Sequence, residues 1–392
     1  MAPRQRGQVP AAGRLMAAAG VGRRRVLIIG SGRRIRNNFL PAFAQRRDQF
    51  ELVGLWSRTR EHAERAAAPW GVPVVGSPAE VLDAVDTVVV SVSTTAVRAV
   101  LRDLAERAPQ LSVVLDTPVF GQAAHLPAMA TLRSFARVVV AEDYMNYPQW
   151  TLARRAVADG LIGEVRSVEL AHSGYRYHGL ALIRSLADFD HVTVATRRRA
   201  GADVRFDFRL RRGLRGRITE PYDQARGTTT ITGEKGVITD SARVGAVGAG
   251  AGHGPVHVLR PRGDARPDGY LLDGPDLLGG LELDLPALPA LLDAEVPDRS
   301  LFNALKTCGL LEVLAAVTGE AFHSRYTYRE ALYDHLTTAV LRTSPLVVDP
   351  VAGAGGNIVG GLDGVFTGLA RARGALTRAG TRGKGTPTGG PA

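Results

Sequence analysis

Val26-Leu-Ile-Ile-Gly30-Ser-Gly32-Arg-Arg-Ile35 decides how this chain is read. An apolar run ends in Gly-x-Gly and feeds a stretch that can be helical. In that arrangement a first β-strand stops at a tight turn, and the helix N-terminus presents backbone N–H groups to a dinucleotide pyrophosphate. Gly30 permits the turn, and Gly32 lets the backbone approach the phosphates. Ile35 stands where the usual fingerprint has its third glycine. A glycine turn of this kind is common, so the weight falls on the next hundred residues.

Outward from the turn, strand and helix patterns alternate. Arg25–Ile29, Glu51–Trp56, Asp86–Ser91, Ser112–Leu115 and Ala136–Ala141 read as buried strands. Between them Arg33–Gln45, Thr59–Ala68, Pro78–Ala84, Val97–Arg107 and Leu126–Ser134 read as helices. That alternation predicts a doubly wound parallel sheet over residues 23–143. After Glu142 the period changes. A helix over Trp150–Asp159 precedes segments that alternate as half-buried strands: Arg166–His172, Ala202–Leu210 and Thr228–Thr232, with Gly236–Thr239 and Val256–Leu259 adding to them. Ser300–Thr318 and Tyr328–Leu341 are amphipathic helices. Residues 144–345 therefore read as an α+β domain on an antiparallel or mixed sheet with one wet face. A C-terminal helical segment is expected over 346–378. The ends, 1–22 and 379–392, read as disordered tails, and Met16 is an alternative start. The Gly/Ala-rich 245–254 reads as a loop.

The net charge of +11 is matched by two terminal stretches somewhat longer than those tails, 1–25 and 371–392. Residues 1–25 carry six arginines and 371–392 carry four arginines and Lys384, with no acid in either stretch. The balanced body argues against a nucleic-acid groove. No apolar run reaches the roughly 18 residues of a membrane span. The single cysteine, Cys308, lies among apolar neighbours and reads as an inert buried thiol; it excludes an internal disulfide. A cytoplasmic setting is expected. Arginine outnumbers lysine so heavily (Lys235, Lys306 and Lys384 only) that a GC-rich bacterial genome is implied.

Six pieces in order make the chain resemble the glucose–fructose oxidoreductase / inositol dehydrogenase / MocA (Gfo/Idh/MocA) family. They are Gly30-Ser-Gly32 with Phe39-Leu-Pro41-Ala, Glu51 to Ser57-Arg58, Val88 to Ser93-Thr94, and Val114-Leu-Asp116-Thr117-Pro118. Pro148 to Gly163-Glu-Val and Ile231-Thr-Gly233-Glu-Lys-Gly236-Val complete the set. The resemblance implies a Rossmann domain followed by an α+β domain with a large open, mainly antiparallel sheet. It implies hydride transfer to or from NAD(P), and a homo-oligomer, dimer or tetramer, packed through the C-terminal sheet. It also shows a departure: the family's usual lysine falls at Thr117, which carries no charge. Thiazolinyl imine reductases, which also lack that lysine, are similar in architecture.

The expected cofactor site comprises Gly30, Ser31, Gly32, Arg33, Arg34, Ile35, Ser57, Arg58, Ser93, Thr94, Asp116, Thr117 and Pro118. At the tip of the second strand Ser57-Arg58-Thr59 offers a hydroxyl and a guanidinium and no acid, which favours NADP(H) over NAD(H). Tyr175-Arg-Tyr177-His178-Gly179 is the densest polar-aromatic cluster. His178 is the leading proton donor, with Tyr177, Tyr175 and Tyr144 as further candidates. Arg184 is the candidate for binding a substrate carboxylate or phosphate. Asp188, Asp190 and His191 lack a well-spaced further ligand, so no metal is expected. His323 and His335 read as core or surface residues. The expectation is a reductase of a C=O or C=N bond in a small molecule, with no nucleic-acid or membrane partner, fitting a tailoring step in bacterial specialised metabolism. The alternatives are a redox-neutral NAD(P)-using enzyme of epimerase, lyase or glycosidase type, and a non-catalytic NADP-binding sensor.

Overall fold

The computed structural model describes residues 22–121, 123–241, 254–264, 266–319, 321–342 and 345–348. Strands β1 (Arg24–Ile29), β2 (Phe50–Trp56), β3 (Thr87–Val90), β4 (Ser112–Asp116) and β5 (Arg137–Ala141) form one sheet in the order β2-β1-β3-β4-β5. All its pairings are parallel. The unbroken apolar character of β1 has a simple cause: both faces of the sheet are covered. Val26 and Ile28 point into one core and Leu27 and Ile29 into the other, all four essentially without exposure.

The first helix runs from Arg33 to Ala44 and is wound as a π-helix over Ile35–Phe39 before continuing as an α-helix over Leu40–Ala44. Its buried Ile35, Phe39, Leu40 and Phe43 cover one face of the sheet. The same face is closed by a helix from far along the chain, Leu301–Thr318, whose Leu310, Val313, Leu314 and Val317 join that core. Each such burial contributes about 1.5–3 kcal/mol. The sequence boundary at residue 143 thus separates the sheets but not the cores. Among the described residues Leu301–Thr318 is the one helix long and apolar enough to cross a membrane; here its apolar surface packs against the sheet.

The second sheet has ten strands. They are β6 (Val165–Ala171), β7 (Val192–Ala200), β8 (Asp203–Leu210), β9 (Arg215–Glu220), β10 (Thr228–Gly233), β11 (Val237–Thr239), β12 (Val256–Arg262), β13 (Gly269–Asp273), β14 (Leu281–Asp284) and β15 (Leu346–Val348). Their order is β14-β13-β12-β11-β10-β6-β9-β8-β7-β15. Only β6/β9 and β11/β12 pair in parallel. Phe206, Phe208 and Ile218 point inward onto the helix Arg176–Ser185 side, while Arg205, Asp207, Arg209, Arg215 and Arg217 line the other, open face.

The structure differs from the sequence reading in several places; the helix read over Pro78–Ala84, for one, is two 3-10 turns, Pro78–Glu80 and Leu82–Ala84. The helix predicted over Leu126–Ser134 is a run of 3-10 turns spanning Ala123–Ser134. The aromatic cluster itself opens a helix, Arg176–Ser185, with Tyr177 and His178 in its first turn. The expected helical segment 346–378 opens as strand: Leu346–Val348 pairs with β7, and its remainder lies outside the described residues. β7 itself went unread because its arginine run, Arg197–Arg199, resembles a solvated charge cluster. In the sheet those side chains alternate at an edge region and the backbone pairs with β8. The expected tails, 1–22 and 379–392, fall outside the described residues except for Gly22, and so does the 245–254 loop except for Gly254.

Candidate active site

The strand order reverses between β1 and β3, and the turn Gly30–Gly32 stands at the carboxyl ends of those strands, where such sheets open a crevice. Gly30 has φ +123°, and a β-carbon there would lie 2.0 Å from the Ser91 carbonyl oxygen at the end of β3. Only glycine fits. Gly32 is the reverse case: a β-carbon there would meet nothing within 4 Å, so the turn faces open space on its crevice side. Ser31 Oγ donates to Ser57 Oγ at 2.9 Å, tying the turn to the end of β2. Arg33 and Arg58 are exposed beside it. Ser93 and Thr94 open the helix Thr94–Arg107 after β3. These are the features that a dinucleotide requires, and the residues fit one: an open glycine turn at a helix N-terminus, with hydroxyls and two exposed guanidinium groups around it.

The chemical groups gather at the ends of β4 and β5. His178 Nδ1 donates to both oxygens of Glu142, at 2.6 and 2.8 Å. Glu142 has no exposure and His178 little. A carboxylate only accepts, so Nδ1 carries its hydrogen and Nε2 is the nitrogen left to face a ligand. The Tyr177 ring lies 4.2 Å from the imidazole and also meets His335 edge-on at 5.1 Å. Tyr175 is half exposed at the rim and contacts Tyr222 at 5.5 Å. Tyr144 is buried, with its hydroxyl donating to Ser173 O at 2.8 Å, and burial raises its pKa far above the phenol range. Burial does the same for Tyr177. Both phenols stay neutral at working pH, and Tyr144 is a wall of the site with its proton already committed.

The description "oxidoreductase family, NAD-binding Rossmann fold", Gfo/Idh/MocA, matches residues 24–144. This domain belongs to the Gfo/Idh/MocA family. The fold likeness runs well beyond it. An oxidoreductase from Thermotoga maritima matches 87% of this chain and 100% of its own length, with 18% identity and TM-score 0.58. An oxidoreductase from Agrobacterium radiobacter, in complex with NAD+, L-tartaric acid and magnesium, matches 85% of this chain and 99% of its own, with 13% identity and TM-score 0.58. A levoglucosan dehydrogenase in complex with NADH matches 84% of this chain and 100% of its own, with 15% identity and TM-score 0.59. At these identities the likeness is one of fold. Among curated proteins none matches this chain in sequence.

Within the Gfo/Idh/MocA frame, two arginines expected to bind ligands are instead committed within the protein. Arg34 turns inward. Its Nε donates to Asp116 Oδ1 at 3.3 Å, and Nη1 donates to Asp143 Oδ2 at 3.0 Å and Asn38 Oδ1 at 3.1 Å. Burial opposes its charge, and the two carboxylates overcome that and hold its pKa above the usual arginine value. Arg34 is therefore a strut between the glycine-turn helix, β4 and β5, and not a cover for phosphate. Asp116 is the other end of the strut: it also accepts from Ser91 Oγ at 2.6 Å and from Thr117 N at 2.9 Å. Thr117 donates weakly to Ala141 O at 3.5 Å, with Pro118 following at the strand end. Ile35 is a core residue.

Arg184 is the clearer correction. It has no exposure. Its guanidinium pairs with Asp334 at 2.8 Å and with Glu330, donates to Asp190 O at 2.9 Å and Phe189 O at 2.7 Å, and stacks on Tyr333. No donor faces a ligand. Asp188, close to it in sequence, pairs with Arg325. Asp190 caps Arg212 N at 2.7 Å and His191 stacks on Tyr333. Among the described residues no cluster of three metal-ligating side chains exists. Cys308 is buried, and burial pushes its thiol up to about 12.

The most important residue that went unread is Glu142. Its signal was present: a charge placed directly after the apolar Val138-Val-Val-Ala141, at the carboxyl end of a parallel strand, where open α/β sheets carry their sites. What no spacing rule supplied was its partner, 36 residues on, in the first turn of the helix Arg176–Ser185.

Proposed function

We propose that this protein is an NADP(H)-dependent oxidoreductase that reduces a C=O or C=N bond of a small molecule, with His178 as its proton donor. The observation that carries the reading is the two-pronged Glu142–His178 contact beside the crevice of a Gfo/Idh/MocA domain. A nicotinamide dinucleotide bound there supplies or accepts a hydride. When a carbonyl or imine carbon gains a hydride, its π electrons move to oxygen or nitrogen, which must take one proton. His178 Nε2 gives that proton, and Glu142 stabilises the imidazolium before transfer and fixes the ring throughout. The same pair takes a proton in the opposite direction.

Preference for the 2′-phosphate rests on Ser57 and Arg58. Arg58 is exposed at the end of β2 and makes no salt bridge among the described residues, and no acid stands at the tip. The oligomer is proposed to form through the open face of the ten-stranded sheet. That face is charged, with Arg217 bonded to Asp207 at 2.8 Å and near Glu169 at 3.8 Å. Such an interface is polar, and sedimentation velocity should show it weakening as salt rises. The composition is in keeping with a tailoring enzyme of bacterial specialised metabolism.

The test is calorimetry of NADPH and NADH followed by a screen of small ketones, aldehydes and cyclic imines. NADPH should bind more tightly, and Arg58→Ala should weaken it about tenfold while leaving NADH unchanged. His178→Phe should keep cofactor affinity and lose about 10²–10⁴ in turnover. Turnover that survives His178→Phe removes the histidine from the mechanism. Tight NADPH binding with no turnover of any acceptor favours the sensor reading.

A further inference from the structure

Three arginines around the reaction cluster are already neutralised: Arg34 by Asp116 and Asp143, Arg176 by Glu220, Arg184 by Asp334 and Glu330. One lysine there is not. Lys306, half-buried on the helix Leu301–Thr318, makes no hydrogen bond or salt bridge among the described residues.

Its position follows from its helical neighbours. Residues 302, 306 and 309 share one face, at spacings of four and three. Phe302 packs on Tyr147 and Tyr222, each at 6.1 Å between rings. Gly309 touches the end of β5 so closely that a β-carbon would lie 2.6 Å from Asp143 O. The next residue, Thr307, accepts from Asn38, the residue that also holds Arg34. Lys306 therefore sits between the aromatic wall that leads through Tyr222 and Tyr175 to His178, and the strand end that carries Glu142.

We propose that Lys306 is the anion-binding residue of this site, taking a carboxylate of the small-molecule substrate beside the Glu142–His178 pair. An unpaired, partly desolvated ammonium is costly, and a ligand carboxylate offsets that cost. The nearby acids do not fill the role: Asp116 and Asp143 belong to Arg34, and Glu142 to His178. Burial and Arg34 lower the Lys306 pKa from the usual amine value, against the pull of Asp143, Asp116 and Glu142. The ammonium has three open donors and no rival partner. The proposal deepens the oxidoreductase reading by giving its substrate a charge.

Oxalate is the probe, with oxamide as its neutral counterpart, each titrated calorimetrically into the full chain with and without NADP+. Wild type should bind oxalate and not oxamide, with affinity falling as pH rises through the lowered lysine pKa. Lys306→Met should weaken oxalate at least tenfold, Lys306→Arg should restore part of the loss, and both should melt like wild type and bind NADPH within about threefold of it. Oxalate affinity unchanged in Lys306→Met, or no oxalate binding by wild type at about 10 mM, overturns the proposal even if NADPH binds. Failure of NADPH to bind overturns the oxidoreductase reading instead, while the oxalate comparison still reports on Lys306.

Discussion

His335 offers a prediction that can be worked through to a number. It is almost completely buried, its Nδ1 accepts from Val119 N at 3.2 Å, and its Nε2 has no partner. Burial, reinforced by His178, lowers its pKa to about 3 from 6.5. The folded protein thus holds His335 neutral while the unfolded chain protonates below pH 6.5. The unfolded state binds more protons across that window, so the stability from this residue is complete above pH 6.5 and drains away as pH falls toward 3. Relative to pH 7.5, the loss is about 1 kcal/mol at pH 5.5 and about 2 kcal/mol at pH 5. The whole-protein curve will not display it cleanly. His323 is lowered to about 4 by burial and acts in the same sense, whereas burial raises Asp240 to about 6 and Asp334 to about 7, and these act in the opposite sense. A paired comparison cancels all of them. His335→Gln keeps an acceptor for Val119 N–H and cannot titrate. Urea unfolding of both proteins at pH 7.5, 5.5 and 5 should show the wild-type advantage shrinking by those amounts. An advantage that stays constant, or that widens in acid, would refute the assignment of a buried neutral imidazole beside Tyr177 and His178.

Two further outcomes separate ligand contacts from structural ones. Gly30→Ala should destabilise the fold by at least about 2 kcal/mol in urea melts, because its side chain meets the Ser91 carbonyl at a positive φ. Gly32→Ala should leave stability unchanged and weaken NADPH binding in calorimetry, since its side chain enters only the open crevice; equal effects of the two on stability would contradict the placement of the crevice. Arg184→Met should cost about 3–5 kcal/mol of stability by leaving Asp334 uncompensated in the core. A variant as stable as wild type but defective in ligand binding would return Arg184 to the site.

The acid–base pair shows where legibility ended. His178 was readable because imidazole chemistry concentrates in a polar-aromatic cluster between a strand and a helix. Arg184, six residues further, also read as a candidate site residue, and burial separated the two: one ring edges a crevice, the other side chain sits among carboxylates from the helix Tyr328–Val340. Arg34 failed in the same way, since a charge after a glycine turn looks the same whether it faces phosphate or the carboxylates of β4 and β5.

By itself the sequence determined the parallel sheet and the glycine turn, because strand period, apolar runs and the steric demand at Gly30 are local properties that neighbouring residues express. Tertiary structure decided which charges remained available. Glu142 meets His178 from 36 residues away, Lys306 arrives on a helix that returns to the first sheet only after strands β6 to β14, and Asp334 claims Arg184 from 150 residues away. Charge pairing depends on distance in space and on exclusion of water, and neither is written in the spacing of residues along the chain.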